Sequence, residues 1–505
     1  MQVIRTAVTF FLFIFGFHGG AQTITSVVMD ASTNSPIPYA TVQLNKRGVI
    51  TNEEGRFSLQ LDQGFKETDS LFISCIGYET VGKPLNRFTE STILMVPKAI
   101  ELNPVIVSNR QYTGEDLIKE VKNHLQSNYD LGLTKKRLFF RDSYHQNLSK
   151  TDYTFKESTI DALNEKFLDS VLHTIPKKSS RYTEILGDFY GDFAKDNQKL
   201  TLIKASELYD KQEEVDLSAL EEKFNEILRK NVKPDSYFKI KSGWFGTKVD
   251  APDLLGEETD SEDAEALAKE LEAKKKKEED RKKNFAASKK KSLADIMNGL
   301  FFLEESKLNF INKSNRYQFT IVDFTYMGDQ PIYLVDFEPK RSEDYKGRLY
   351  INADDFAVVR VDYHNVKSLK TFKLLGISLD QFLSKGKMIF SKNEEGRYQL
   401  QFLESESGAQ IGIRRPLKII ELNKKVKGRN KQNELSLEID MASTVTNKQQ
   451  IVIFNTEGIG QQDFGAIEGH NKVLPTYMPS YDPEFWKGYN IMEPDQAIKE
   501  FTSKE

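Results

Sequence analysis

The 505-residue chain has one cysteine, six histidines and two tryptophans. A single cysteine excludes an intramolecular disulfide and any zinc site that needs two or more thiolates. An excess of one charge is missing too: 71 Lys and Arg face 75 Asp and Glu, a net charge of −4. Nucleic-acid binders normally carry a basic surplus, so that class is disfavoured. Beyond the N-terminus no run approaches the ~20 apolar residues that cross a bilayer. The spacings that announce chemistry are absent as well. His124, His145, His173, His364 and His470 form neither HExxH nor HxH, and there is no GxSxG elbow and no DxDxDG calcium loop. Gly458-Ile-Gly460 lies in a Gln-rich stretch rather than after a strand, and Asp354 and Asp355 are neighbours on a turn, pointing apart. A triad gathered from distant positions leaves no trace in sequence. On this reading no catalytic, cofactor-binding or metal-ligating residue is assigned, no cofactor is expected, and the protein is not an enzyme.

What remains is 34 Phe, 20 Tyr and 29% charged residues, enough chain for two to four domains of roughly 100–200 residues. Residues 1–21 read as a signal peptide: Arg5, then the apolar run Thr6 to Phe17, then small residues up to Ala21. Export to the periplasm or the outer membrane is therefore expected. No cysteine follows Ala21, which excludes a lipoprotein-type anchor. Residues 22–97 read as a small β-sandwich of short alternating strands. They include Thr23–Met29, Tyr39–Leu44, Arg56–Leu61, Ser70–Cys75 and Ser91–Val96, separated by turn residues such as Asn52-Glu-Glu-Gly55. The two-residue period puts Leu71, Ile73 and Cys75 on one face, so Cys75 is expected in the core. Gly77 to Lys83 has the glycine and lysine spacing of a phosphate-binding loop. Pro84 stands where the metal-binding hydroxyl belongs, and Tyr78–Val81 reads as strand.

The blocks ITSVVMD, PIPYATVQLN, TNEEGRFSL and LFISCIGYET resemble, in order, the carboxypeptidase-regulatory-like domain of exported proteins from Bacteroidetes-type bacteria. That resemblance covers about 75 residues. It implies a transthyretin-like seven-strand sandwich used for folding or docking, without peptidase activity. Ser26 stands where the family usually has glycine.

Residues 98–112 read as a connector with the short strand Pro104–Val107, and 113–505 as one β-rich domain. Thr113 is a suitable N-cap for a helix with Leu117, Ile118, Val121 and Leu125 on one stripe, and His124 beside it. The segment following the sandwich, GEDLIKEVKNHLQSNYD then LFFRDSY, also looks like the same bacterial family. A helical, charged insertion is expected at about 206–292. Its part from Glu257 to Lys291 holds as many acids as bases, so Lys274–Lys277 and Arg281–Lys283 read as a solvated face rather than an anion-binding patch. From Phe301 alternating strands return, turning at Gly328–Pro331, Asn352–Asp355 and Asn393–Gly396, and predict a large curved antiparallel sheet or half-barrel. YLVDFEP with GRLYINADDFAVVRVD resembles the half-barrel of bacterial lipoprotein carriers, which would imply an apolar cavity. Phe485-Trp486 is expected to clasp onto that sheet, ahead of a last helix over 495–501. The expected role is a non-catalytic binding or scaffold module of the envelope, with a protein or lipid partner, no nucleic acid and no transmembrane span in the mature chain. Alternatives are a carrier of lipid or another apolar ligand and, lastly, a hydrolase.

Overall fold

The computed structural model describes residues 23–503 apart from 46, 62–64, 67, 99–111, 195–196, 234, 244, 251–263, 424, 426–429 and 469–471. The expected signal peptide, most of the connector and His470 lie outside the described residues. The chain is mainly β and divides into two units. One comprises Met1–Ala99, Tyr326–Gly328 and Asp482–Asp495; the other comprises Ile100–Thr325, Asp329–Tyr481 and Gln496–Glu505.

The first unit is a seven-strand sandwich. Strands β1 (Thr23–Asp30), β4 (Arg56–Gln60) and β7 (Thr92–Met95) form one sheet in the order β4-β1-β7. Strands β2 (Thr41–Leu44), β3 (Arg47–Ile50), β5 (Ser70–Ser74) and β6 (Val81–Pro84) form the other, ordered β3-β2-β5-β6. Alternation drives it. In β1 Ile24, Ser26, Val28 and Asp30 point inward, and Val28 joins Leu44, Leu59, Leu71, Ile73 and Met95 in the buried core. The sandwich is not purely antiparallel, because β7 runs parallel to β1. Nor is Cys75 in the core: β5 ends at Ser74, and the thiol is half-buried beside a turn in which Tyr78 N donates to Cys75 O at 3.2 Å. Gly77 to Lys83 forms a turn and the strand β6, which has no helix for a phosphate to cap.

The turn at Asn52 is set by its own side chain. Asn52 Oδ1 accepts from Glu54 N (3.0 Å) and Arg56 N (2.9 Å), and Gly55 takes φ 70°. The aromatic clasp belongs to this unit rather than to the large sheet. Trp486 is buried, Asn490 Oδ1 accepts from Gln60 N at 2.7 Å, and Asn52 Nδ2 donates to Pro494 O at 3.2 Å.

The second unit opens with α1 (Gly114–Asn128), capped as expected. Thr113 Oγ1 accepts from Asp116 N (3.1 Å), and Asp116 answers by accepting from Thr113 N (3.1 Å). Leu117, Ile118 and Val121 are buried, while Leu125 is only half-buried. The strands that follow are β8 (Thr134–Ser158), β9 (Lys178–Gly191), β10 (Gln198–Tyr209), β11 (Tyr237–Ser242), β12 (Phe245–Asp250), β13 (Tyr317–Met327), β14 (Gln330–Pro339), β15 (Tyr345–Asn352), β16 (Val358–Asn365), β17 (Lys370–Leu374), β18 (Ile377–Lys392), β19 (Tyr398–Leu422), β20 (Lys431–Gly458) and β21 (Thr476–Met478). They build one 14-stranded sheet in the order β13-β14-β15-β16-β18-β19-β20-β8-β9-β10-β21, with β17 on β18 and the hairpin β11–β12 on β19. The sheet is mixed, because β21 joins β10 in parallel.

Three departures from expectation have physical causes. Arg137–Tyr144 and Tyr153–Phe155, which alternate like two short strands, belong to one 25-residue strand, and β19 and β20 likewise each join two alternating stretches, Tyr398–Phe402 with Leu417–Leu422 and Leu435–Ile439 with Ile451–Phe454. The 206–292 insertion is not wholly helical, since Tyr237, Lys239 and Lys241 lie opposite Leu422, Ile420 and Lys418 in β11. Its charged helix α4 (Ala264–Met297) is anchored at its C-terminal end by buried Ala286, Leu293, Ala294 and Met297. Those four fall on one helical stripe, and Lys289 Nζ reaches Asp142 Oδ2 at 3.2 Å. Helices α2 (Glu165–Thr174) and α3 (Lys211–Asn231) cover one sheet face, where Leu163, Phe167, Leu228, Phe238, Leu435 and Leu437 form a buried cluster. The last helix is shorter than expected, Gln496–Lys499.

Two substitutions test this packing. Ser26 is buried and its Oγ has no hydrogen-bond partner; an unsatisfied buried hydroxyl costs on the order of 1 kcal/mol or more. Ser26→Ala should therefore raise the denaturation midpoint of the sandwich. Gly114→Ala should do the reverse for the second unit. Alanine gains about 1 kcal/mol of helix propensity, but its Cβ would sit 2.3 Å from Phe319 O, and overpacking against backbone costs about 1–3 kcal/mol. Denaturant titration followed by tryptophan fluorescence and circular dichroism checks both.

Candidate functional site

Cross-strand partners in a sheet share a face, and the register of the large sheet lines up one row of polar residues. The row runs Asp336, Arg348, Asp362, Lys387, Glu404, Gln450, Arg141, Glu184, Ser206 across β14, β15, β16, β18, β19, β20, β8, β9 and β10. Its charges alternate in sign along the first five positions and again at Arg141 and Glu184. Such opposition is favourable across strands, where like charges would repel.

The row has a dry end and a wet end. At the dry end Arg141 and Glu184 are almost wholly excluded from solvent, their side chains 2% and 0% exposed. Arg141 Nε and Nη2 both approach Glu184 Oε1 at 2.7 Å, and Ser206 Oγ donates to Glu184 Oε2 at 3.4 Å. Gln450 Nε2 donates to Glu404 Oε2 at 2.9 Å. At the wet end Arg348 makes a two-pronged contact with Asp336, at 2.5 and 3.0 Å, and this bond raises the guanidinium pKa. Arg360 straddles Asp362, with Nη2 to Oδ2 at 2.8 Å, and lies 5.0 Å over the Tyr350 ring. Lys385 pairs with Glu406 at 2.7 Å.

Between β14 and β19 this wet end forms a basin of about 610 Å³. It is lined by Asp336, Glu338, Lys346, Arg348, Tyr350, Arg360, Asp362, Tyr363, His364, Lys385, Lys387 and Glu404, with Gly347 and Gly386 in its floor. Glycine is required at both. A Cβ on Gly347 would meet Asp362 O at 2.0 Å, and one on Gly386 would meet Glu404 O and Tyr363 Oη at 2.5 Å. Burial lifts the phenol pKa of Tyr350 and Tyr363. Burial, helped by the Lys346 ammonium, lowers His364 below the usual histidine value. The basin has the volume of a ligand site, which usually spans about 300–1,000 Å³, but a wall of alternating charge in place of an apolar one.

The other hollows differ. An apolar cavity under α2 and α3, lined by Ile160, Leu163, Phe224, Leu228, Phe238, Ile419 and Leu435, measures only about 80 Å³, below ligand size. A cleft of about 700 Å³ beside α4 is lined by Arg181, Glu207, Lys276, Asp280, Arg281 and Phe285. Its two acids stand among three bases. Of Lys274–Lys277 only Lys276 falls among the described side chains.

The residues weighed in the sequence are dispersed. His124 Nδ1 meets Glu120 O (2.8 Å) on α1, His173 Nδ1 meets Asp169 O (2.7 Å) on α2, and His145 Nδ1 meets Ser180 Oγ (2.9 Å) on β8. Among the described residues His364 is the one histidine that reaches the basin. Asp355 accepts from Tyr398 Oη at 3.0 Å and pairs with Lys392 at 2.7 Å. Asn393-Glu-Glu-Gly396 repeats the turn at Asn52, with Asn393 Oδ1 accepting from Glu395 N and Arg397 N and Gly396 at φ 79°. Gly460 caps a short helix, Gln461–Ala466. Among the described residues no three His, Cys, Asp and Glu side chains come together so as to hold a metal ion. Nothing in the sequence pointed to the basin, or to Lys136, a buried lysine on β8 bonded to Thr134 Oγ1 whose amine is pushed down to about 8 by burial.

The buried pair gives a test. Arg141→Met alone should destabilise the second unit by about 3–5 kcal/mol, because it strands a carboxylate in the interior. Adding Glu184→Gln should recover most of that loss in the same denaturant titration.

No curated protein matches the chain. Among solved structures, a domain described as an outer-membrane lipoprotein-sorting protein of Vibrio parahaemolyticus aligns at 8% identity over 70% of this chain and 97% of its own, with a TM-score of 0.21. The MucA/MucB complex of Pseudomonas aeruginosa aligns at 6% identity over 66% and 93%, with a TM-score of 0.15. Scores this low carry no argument about fold or function. No helix among the described residues is long and apolar enough to cross a membrane. Residues 24–107, the sandwich first read from its four sequence blocks, match the family model of the CarboxypepD_reg-like domain.

Proposed function

We propose that this chain is a binding protein of the cell envelope, exported by its N-terminal leader, whose large sheet grips a charged, extended segment of a partner protein in the basin between β14 and β19. The role is non-catalytic, and the sandwich serves as a second docking module. The observation that carries this reading is the basin itself: about 610 Å³ lined by five cations and four carboxylates, with Tyr350 as a flat contact. Both signs of charge sit on rigid strands, which suits a peptide bearing both and selects against an apolar ligand. The carrier reading has less support, because the apolar cavity on the other side of the sheet holds only about 80 Å³.

A photoreactive residue placed at Lys346 should yield a protein adduct in intact cells. The adduct should fade at high salt, since exposed charges are screened within about 10 Å at 0.1 M. Reversing Lys346 and Lys385 to Glu should cut adduct yield at least about tenfold with the melting temperature unchanged. An adduct carrying lipid and no protein would favour the carrier reading, and none at all would reject the basin as a site.

A further inference from the structure

The apolar sheet face that α2 and α3 cover does not stop where those helices do. Leu417 and Ile419 on β19 pack into the covered cluster, and the two-residue period carries the same face on to Ile413 and Ile411. Register extends it sideways: Ile413 lies opposite Ile377 and Ile411 opposite Leu379, and these in turn oppose Leu374 and Phe372 of β17. Phe372, Leu374, Ile377, Ile411 and Ile413 are all exposed. Along β19 this face alternates with the one bearing Glu404, so the patch and the charged basin lie on opposite sides of the sheet.

The hairpin that ends this patch is unusual. Its two-residue turn is Leu375-Gly376, with φ of 51° and 77°. A turn with two positive φ values favours Asn, Asp or Gly, yet a leucine holds the first position, 58% exposed. It is no slack loop. Arg414 N donates to Gly376 O at 2.6 Å, and a Cβ on Gly376 would meet Arg414 O at 1.9 Å. A strained backbone holding an apolar side chain out into water at a fixed point is an outlier of the kind that clusters at functional positions.

Charge indicates what covers it. On the hairpin Lys370 and Lys373 are exposed, and no acid lies within ion-pair distance of either among the described residues. The nearby acids Asp440 and Glu438 are engaged by Lys150 and Arg414. The hairpin's own acid, Asp380, offsets one of the two lysines and not both, so the unneutralised charge there is still net positive. β17 is also an open strand edge, and lysines on such an edge oppose pairing with another strand, which disfavours a second copy added edge to edge. An apolar tip with a collar of lysines matches an anionic lipid interface. We propose that the β17–β18 hairpin seats Leu374, Leu375 and Phe372 in an anionic lipid surface, with Lys370 and Lys373 at the headgroups.

The test is flotation of the purified chain with phosphatidylcholine vesicles, with and without phosphatidylglycerol. The chain should float with the anionic vesicles and far less with the neutral ones. Leu375→Asn should weaken binding at least about tenfold, the loss of one buried leucine. Its melting temperature should hold or rise, because Asn accepts positive φ, which separates lost binding from lost folding. Lys370→Gln with Lys373→Gln should weaken anionic binding about twenty-five-fold, at about fivefold per lysine, and remove the preference for phosphatidylglycerol. Equal flotation of the chain and Leu375→Asn, or no flotation at all, would overturn the proposal. A dimer in sedimentation velocity that Leu375→Asn abolishes, without vesicle binding, would reassign the patch to a second copy.

Discussion

The second unit depends on the register between β19 and β20. The two strands pair without interruption from Phe402–Val452 to Ile420–Glu434. A slip of one residue would send every side chain on one of them to the opposite face. Ile411, Ile413, Leu417 and Ile419 would then leave the apolar side, and Glu404 would leave the charged side. Both surfaces therefore rest on the same pairing. The buried Glu404–Gln450 hydrogen bond helps hold it: a buried polar group is costly when unpaired, and these two face each other across the strands only in this register.

With register fixed, one sheet carries two chemistries. Its charged side is rigid, since the basin floor is strand backbone with glycines at Gly347 and Gly386 where neighbouring chain comes within contact distance. Its other side is apolar and only partly covered by helices. Strands buried on one side and wetted on the other normally show polar residues outward. Here the hairpin at Leu375 reverses that habit at the position where the backbone would least favour a leucine.

Much of the architecture was legible in the sequence, but the surfaces were not. The sandwich was readable because each short strand buries alternate residues, as in Thr23–Asp30, and because Asn52 and Gly55 have few uses besides a tight turn. The N-cap at Thr113 was readable for the same reason, being local. The long strands were broken up because hydrophobic periodicity reports burial rather than extension. Glu404–Gln410 and Asp440–Gln450 are extended but half wet, so they carry little apolar signal. The basin was invisible for another reason. Arg141 and Gln450 are far apart in sequence, and only the order β20-β8-β9 makes neighbours of them. Cys75 was misplaced by a single residue, because the strand that would have turned it inward ends at Ser74. The clasp at Trp486 was assigned to the wrong unit because nothing local records which partner a C-terminal segment finds.

That clasp bears on the order in which the molecule is made. Residues 482–495 belong with the N-terminal sandwich, and Asn52 and Pro494 bond across almost the whole length of the chain. Contacts of such separation form late. During synthesis the sandwich strands emerge first, yet the unit waits for the final stretch before its last hydrogen bonds close. A nascent chain halted before residue 482 would lack the bonds from Gln60 N to Asn490 and from Asn52 Nδ2 to Pro494, so that a region translated early would be among the last to reach its finished state.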